Sequence, residues 1–252
     1  MLVFPNAKIN IGLRVVEKRA DSFHNIESIF YPVFDLFDVL EILESKELSF
    51  TSSGIEIPGS SKYNLCVQAF ELVRSDFDIP FVTIHLHKVI PIGAGLGGGS
   101  ADAAFMLKAL NELFNLNLTL DQLVNYAQKL GSDCAFFIQN KPVYAFNKGD
   151  EFKNVELDLT SYQLKIEYPN IHIVTKEAYR GIVPLSSKQS LKDIISKPIE
   201  DWKTLVENDF EKSVFPLHPS IENLKNQMYS DGAIFASMTG SGSAVFGLFE
   251  KR

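Results

Sequence analysis

Polar and hydrophobic positions change their period around one glycine-rich stretch, and the change predicts a strand, a loop and a helix in succession. Val82, Ile84 and Leu86 alternate with Thr83, His85 and His87, the period-2 signature of a strand with one buried face. Beyond the glycines, Ala103, Met106, Leu107, Leu110, Leu113 and Phe114 fall on one stripe at helical spacing, while Lys108, Asn111 and Glu112 fall off it. Strands are also predicted where Ile9, Ile11, Leu13 and Val15 alternate with Lys8, Asn10, Gly12 and Arg14, and across 26–50, 142–146, 164–168 and 171–174. Helices are predicted from Asn64, a plausible N-cap, and from Thr119, where Thr119-Leu120-Asp121-Gln122 fits the capping box. More helical pattern covers 176–179, 191–195, 202–210 and 221–228, whereas 51–62 is turn-rich and reads as a surface excursion. Residues 233–236 and 243–249 form a closing hairpin pattern around Met238-Thr239-Gly240-Ser241-Gly242. That second glycine cluster fits either a plain hairpin loop or a cap of backbone N–H groups over a site. Strands and helices in both halves, with no repeat, predict two α+β domains, 1–156 and 157–252.

Composition narrows the partners. With 252 residues, 46% hydrophobic and 22% charged, the chain has the make-up of an ordinary globular protein. Its net charge is −7 and it has no basic run, which argues against nucleic acid and anionic membranes as partners. An anionic ligand must then be met by local positive charge or oriented N–H groups. The apolar runs are too short to span a bilayer, and Met1-Leu2-Val3-Phe4-Pro5 opens directly into strand-like sequence, so a cytoplasmic protein is expected. Cys66 and Cys134 form no C-x-x-C pair and are expected as reduced thiols, and the five histidines show no metal-ligand spacing. No structural metal is expected.

The candidate chemistry centres on the loop itself, Pro91 to Ser100, in which Gly93, Gly95, Gly97, Gly98 and Gly99 surround Ala94 and Leu96. Each glycine is costly to order, by roughly 0.5–1 kcal/mol in regular structure, and a bound polyanion is the natural compensation. Without Cβ atoms the backbone can close around phosphate oxygens, and the first helical turn points its N–H groups at them. No Gly-Lys-Ser/Thr follows, so the loop is not a P-loop. The dinucleotide spacing at Gly93, Gly95 and Gly98 lies outside the βαβ setting that motif needs, and Asp121, near the right distance for its acidic residue, starts a helix. Elsewhere, Lys8 and Asn10 share the polar face of the first strand, where a lysine is commonly a solvated charge. Phe23 and His24 sit in a polar connection, and Phe23 suits either packing or stacking on a ligand. Asp133, just after Gly131-Ser132, suits either a helix cap or a catalytic carboxylate.

Pro91-x-x-x-Gly95-Leu96-Gly97-Gly98-Gly99-Ser100-x-x-Ala103 resembles the glycine loop of the galactokinase, homoserine kinase, mevalonate kinase and phosphomevalonate kinase (GHMP) superfamily. Pro5-Asn6-Ala7-Lys8-Ile9-Asn10, Arg19-Ala20-Asp21-Ser22-Phe23-His24, Leu130-Gly131-Ser132-Asp133 and Thr239-Gly240-Ser241-Gly242 follow in order. At these separations they resemble the branch that phosphorylates 4-diphosphocytidyl-2-C-methyl-D-erythritol. The resemblance implies a two-domain α+β GHMP kinase fold, with an N-terminal domain like ribosomal protein S5 domain 2 and a ferredoxin-like C-terminal domain. It implies ATP-dependent phosphorylation of the substrate's 2-hydroxyl in the non-mevalonate route to isoprenoids, with Mg²⁺, by a monomer or weak homodimer. Asp133 matches the catalytic aspartate and Lys8 its partner lysine. Pro91, Gly93, Ala94, Gly95, Leu96, Gly97, Gly98, Gly99 and Ser100 match the ATP loop, and Asn64 and Lys88 match positions near the adenine. Ser100 is also the matched candidate for Mg²⁺. Asn10 is expected near the erythritol, Phe23 and Tyr179 on the faces of the cytosine and His24 at its edge, with Gly240 and Ser241 closing on the substrate. Ser22 and Phe23 replace a glycine and a tyrosine common in the family, and the chain stops at Arg252, where the family commonly continues for another helix or strand. Two other readings fit less of the sequence: a kinase of mevalonate, homoserine or a sugar, whose substrates offer no base to stack, and a non-catalytic sensor, for which Asp133 and Lys8 have no need.

Overall fold

The period-2 stretch around residue 84 becomes the strand Phe81–Lys88, and it is an inner strand of a four-stranded sheet. Across that sheet the order is Leu2–Val3, Val39–Ser45, Phe81–Lys88, Ser49–Gly54. Val39–Ser45 runs antiparallel to it with Ile42 opposite Ile84, and Ser49–Gly54 runs parallel with Phe50 opposite Ile84. Leu40, Ile42, Val82, Ile84 and Leu86 are fully buried, as the alternation requires of the inner face. The computed structural model describes residues 1–185 and 189–251. Contacts divide the chain into two compact units that interleave along the sequence: Met1–Lys8, Pro32–Ile92 and Gly97–Lys141 in one, Ile9–Tyr31, Gly93–Leu96 and Pro142–Arg252 in the other.

In the first unit, the helices Leu65–Asp76, Leu120–Leu130 and Cys134–Gln139 all pack on the helix Gly98–Leu113. Their buried faces carry Phe70 and Val73, Leu123 and Ala127, Phe136 and Phe137, and Met106, Leu107 and Leu110. Thr119 closes the expected capping box: its hydroxyl accepts the Gln122 N–H at 3.3 Å while the Gln122 amide oxygen accepts the Thr119 N–H at 2.8 Å. The stretch at 51–54, expected as part of a turn-rich excursion, is instead the end of an edge strand. Its serine and threonine content favours turns in isolation, but the Thr51 and Ser53 hydroxyls bond the His85 and His87 rings at 2.8–3.0 Å, and the parallel ladder does the rest.

The second unit contains residues 9–18 and 24–31 of the strands Asn6–Lys18 and His24–Phe37, joined by Val143–Phe146 and Glu151–Asn154. It also contains an antiparallel sheet in the order Phe235–Met238, Val245–Glu250, Tyr162–Glu167, so the predicted closing hairpin forms. Leu13, Val15 and Ile26 share one core with Phe210, Val214, Ile221, Met228 and Val245. The alternating stretch at 171–174 is not a strand: Ile173 joins that core, and the Ile171 carbonyl accepts the Ser243 hydroxyl instead of a ladder bond. The single helix expected over 202–210 stops at Leu205. Beyond it the Glu207 carbonyl accepts the Leu13 N–H at 2.9 Å and the Asp209 N–H donates to the Leu13 carbonyl at 2.8 Å, which draws this backbone into a bridge with the first long strand. No helix among the described residues is long and apolar enough to cross a membrane.

The capping box gives a local test. Thr119→Ala should lower the unfolding free energy by about 1 kcal/mol, read from urea titration, with activity unchanged because the cap lies on the far end of its helix from Asp133.

Candidate active site

In the first unit, Lys8 and Asp133 meet. The Lys8 ammonium lies 3.3 Å from Asp133 Oδ2, the lysine side chain almost fully enclosed and the carboxylate one-third exposed. Asp133 occupies the N-cap position of the helix Cys134–Gln139, yet its side chain makes no capping bond, so of the two roles open to it the cap is not the one its side chain takes. Gly97 is what lets Lys8 pass. It sits at φ +73°, in the left-handed region, and a Cβ there would lie 3.0 Å from Lys8 Cγ and 3.0 Å from Phe137 Cζ.

The same glycine is the N-cap of Gly98–Leu113, and no side chain caps that helix. The first intrahelical bond runs from the Ala101 N–H to the Gly97 carbonyl at 2.9 Å, which leaves the N–H groups of Gly98, Gly99 and Ser100 without helical acceptors. They point outward from the positive end of the helix, the geometry that receives phosphate oxygens. Gly99 is exposed, and the nearest atom to a Cβ there would be Leu65 Cδ1 at 3.9 Å, so its lack of a side chain keeps the approach open. Asn64 caps Leu65–Asp76 through Oδ1, which accepts the Cys66 N–H at 2.9 Å. The Cys134 thiol is pushed up to about 11 by burial, against the opposing effect of a hydrogen bond with Ser100.

Lys88, matched to a position near the adenine, lies beneath the start of the glycine helix. Its ammonium is enclosed between Asp38 Oδ2 and Asp102 Oδ2, the latter at 2.8 Å, and all three side chains are buried. Asp38 also accepts the N–H groups of Val89 at 2.6 Å and Ile90 at 2.8 Å, holding the segment that leads to Pro91. A Cβ on Gly98 would come within 2.8 Å of the Lys88 ammonium. The buried cation thus supports the underside of the glycine helix. Burial works against the Lys88 charge, but Asp102 and Asp38 hold its pKa above the usual lysine value. Burial raises the Asp102 carboxyl, with Lys88 opposing. Asp38 and Asp102 escaped the sequence reading because they lie 50 and 14 residues from their lysine.

In the second unit, Gly93–Leu96 meets the hairpin loop. The Thr239 hydroxyl donates to the Gly95 carbonyl at 3.0 Å and accepts the Asn10 N–H at 2.9 Å. Gly95, at φ +80°, approaches so closely that a Cβ would fall 2.0 Å from the Thr239 carbonyl oxygen. The Ala244 N–H donates to the Ala94 carbonyl at 3.1 Å, and Gly240 lies against Gly95 and Asn10. The second glycine cluster is therefore more than a hairpin turn. Asn208, absent from the sequence reading, is buried and donates its amide to the carbonyls of Met238 at 2.7 Å and Gly240 at 2.9 Å, one on either side of Thr239. The Asn10 amide is buried and donates to Ser28 Oγ at 2.9 Å. Ser241 Oγ is 3.4 Å from the Thr175 hydroxyl.

The connection between the long strands is held by Arg19, whose guanidinium bonds both Asp21 oxygens at 3.1 Å and the side-chain oxygens of Asn25 and Asn147 at 3.0 and 2.5 Å. Ser22 adopts φ +68°, the left-handed geometry for which a glycine is suited. The turn presents Phe23 largely exposed, 5.4 Å from the Lys148 ammonium. His24 stacks on Tyr179, with ring centroids 4.5 Å apart and planes 15° from parallel. Burial and then Lys18 lower the His24 pKa, so the ring is neutral at pH 7.

Residues 64–141 match the GHMP kinases N terminal domain, and residues 190–252 match the GHMP kinases C terminal domain. Over 253 residues the chain is 53% identical to the 4-diphosphocytidyl-2-C-methyl-D-erythritol kinase of Bacteroides fragilis, covering 99% of this chain and 92% of that one. The chain belongs to the 4-diphosphocytidyl-2-C-methyl-D-erythritol kinase family. A second member, from Azobacteroides pseudotrichonymphae, is 51% identical over 252 residues, 100% of this chain and 94% of its own. A crystal structure of 4-(cytidine 5'-diphospho)-2C-methyl-D-erythritol kinase shares the fold with a TM-score of 0.83 at 29% identity, covering 98% of this chain and 90% of that chain. The mevalonate kinase of Methanococcus jannaschii, 17% identical with a TM-score of 0.69, covers 99% of this chain and 90% of its own and shares the fold alone. Membership in this kinase family makes ATP the co-substrate and a small molecule the acceptor.

Two substitutions test the geometry. Lys88→Met leaves Asp38 and Asp102 facing each other without a cation and should cost about 3–5 kcal/mol of stability, measured by urea unfolding. Gly97→Ala, strained at its φ and crowding the Lys8 stem, should keep the fold and lower turnover by about 10²-fold, measured as steady-state kcat.

Proposed function

We propose that this chain transfers the γ-phosphoryl group of ATP to the 2-hydroxyl of 4-diphosphocytidyl-2-C-methyl-D-erythritol, giving the 2-phosphate and ADP. The observation that carries the reading is the ion pair of Lys8 and Asp133 against the glycine at the start of an uncapped helix. Phosphoryl transfer asks little covalent work of the protein, so positioning and charge carry the rate. Asp133, the more exposed partner, accepts the proton of the attacking hydroxyl. Lys8 stabilises the oxygen as it becomes negative, and the fixed Lys8 stem keeps the two groups in register. The N–H groups of Gly98, Gly99 and Ser100 receive phosphate oxygens, with Pro91, Gly93, Ala94, Gly95, Leu96 and Gly97 shaping the loop around the nucleotide.

Asn64 and Lys88 lie on the adenine side of the loop, and Lys88 also supports the loop from beneath. Phe23, His24 and Tyr179 recognise cytosine: the exposed Phe23 ring offers a stacking face, and the neutral His24, braced by Tyr179, bonds the base edge. Asn10, Gly240 and Ser241 lie along the methylerythritol diphosphate. Among the described residues no group of three or more His, Cys, Asp or Glu is arranged to hold a metal ion. That fits Mg²⁺, which is commonly held by substrate phosphates with one or two protein oxygens. Ser100, with its hydroxyl in the first helical turn, would supply such an oxygen. Bound there with ATP, Mg²⁺ neutralises phosphate charge. The net charge of −7 argues against nucleic-acid or anionic-membrane partners, and the enzyme acts in the cytoplasm as a monomer or weak dimer.

ADP release with Mg-ATP, comparing the cytidyl substrate with mevalonate, homoserine and galactose, tests the reading. Turnover is expected with the cytidyl substrate alone, and Asp133→Asn should lower kcat by about 10²–10⁴-fold. Turnover with another alcohol would sink the substrate, and wild-type kcat in Asp133→Asn would sink the role of that carboxylate.

A further inference from the structure

Two connections join the start of the strand Asn6–Lys18 to the helix Cys134–Gln139, and only one of them is the Lys8–Asp133 pair. The other is a reciprocal amide pair: Asn6 Nδ2 donates to Asn140 Oδ1 at 3.2 Å, and Asn140 Nδ2 donates to Asn6 Oδ1 at 2.6 Å. The partners are 134 residues apart in sequence. Asn6 is buried, and its amide also donates to the Ala7 carbonyl at 2.8 Å. Asn140 is the C-cap of the helix, at φ +52°, and its N–H donates to the Phe136 carbonyl at 2.8 Å. The helix therefore carries Asp133 at one end and Asn140 at the other, a separation of about two turns. On the strand, Asn6 and Lys8 are two residues apart and project to the same face. Between the two ties, Phe137 of the helix lies with the Lys8 stem around the space that a Cβ on Gly97 would fill.

The helix packs through Phe136 and Phe137 on Gly98–Leu113, and the amide pair adds a second polar tie to the strand at the end away from Asp133, where small shifts of the helix against Lys8 remain to be fixed. We propose that Asn6 and Asn140 are positioning residues for phosphoryl transfer, fixing the orientation of Asp133 relative to Lys8 without touching substrate or nucleotide. This rests on the kinase reading above. The amide pair suits the task because each side chain presents N–H donors and a carbonyl acceptor in one plane, so the reciprocal pairing, with the second Asn6 N–H on the Ala7 carbonyl, has one preferred orientation. It also brings no charge near Lys8 or Asp133.

Asn140→Gly separates the amide from the turn, since glycine accepts the left-handed backbone while removing the side chain. Kinetics of Asn140→Gly, Asn6→Ala and the double variant are compared with wild type, with urea unfolding in parallel. Each single variant is expected to lower kcat by about 10-fold, toward the roughly 10²-fold that a misplacement of 1 Å can cause, while KM for ATP and for the alcohol stays within about threefold. The double variant should be no slower than the slower single, because either change breaks the same pair. Wild-type kcat in Asn140→Gly, equal changes in KM and kcat, or a loss that follows the unfolded fraction would each overturn the proposal. Should Asn6→Ala fail to fold, Asn140→Gly decides alone. Turnover by wild type with a different alcohol moves the comparison to that alcohol, and a wild-type chain that phosphorylates none removes the kinase reading and this one together.

Discussion

Lys8 reaches Asp133 through a gap that a single methyl group at position 97 would crowd. Gly97 supplies the gap and, at the same time, begins the helix whose first N–H groups stand free. One backbone position thus answers two requirements, a left-handed φ for the turn and missing volume for the lysine stem. Relaxing either would shift the uncapped first turn of the helix relative to the Lys8–Asp133 pair. Phe137 on the other side keeps the stem from swinging away, so the register of loop and ion pair follows from packing and not from the weak attraction of a part-exposed pair.

Two lysines of the first unit show how surroundings divide identical side chains between roles. Lys8 has a carboxylate partner that remains in part open to water, and a charge so placed can still respond to a reacting group. Lys88 has two carboxylate partners, all of them buried, and its charge is committed to the interior. Coulomb attraction in such a setting is strong, but so is the cost of desolvation, and the arrangement holds because neither side is left without a partner. What it fixes is the backbone at Val89 and Ile90 and the underside of Gly98.

Much of this was legible in the sequence wherever the signal is local. The strand before the glycines, the helix after them, the Thr119 box and the closing hairpin all follow from periodicity and capping chemistry within a dozen residues. Misreadings occurred where a distant partner decides. Ser49–Gly54 is a strand because Phe81–Lys88 offers it a ladder, the 171–174 stretch alternates but finds none, and the helix after Trp202 ends where Leu13 takes its backbone. Lys88 could be read for its charge but not for Asp38, and Thr239 for its motif but not for Asn208. Asn6 and Asn140 are ordinary amides in the sequence, and their pairing is a fact of topology.

The interleaved division of the chain has a consequence for its birth on the ribosome. The first unit is complete once Lys141 has emerged, but Leu13, Val15 and Ile26 share a core with Phe210, Ile221 and Val245. At synthesis rates of about 5–20 residues per second, those early apolar strands wait on the order of 10–40 s for the residues that will cover them, the last ~5–20 s of synthesis coming after Lys141. Throughout that last interval the nascent chain carries a finished half and an exposed, strand-forming half. Early adhesion between neighbouring chains on one message, and the chaperones that prevent it, would act on the residues between Ile9 and Tyr31 before any substrate could.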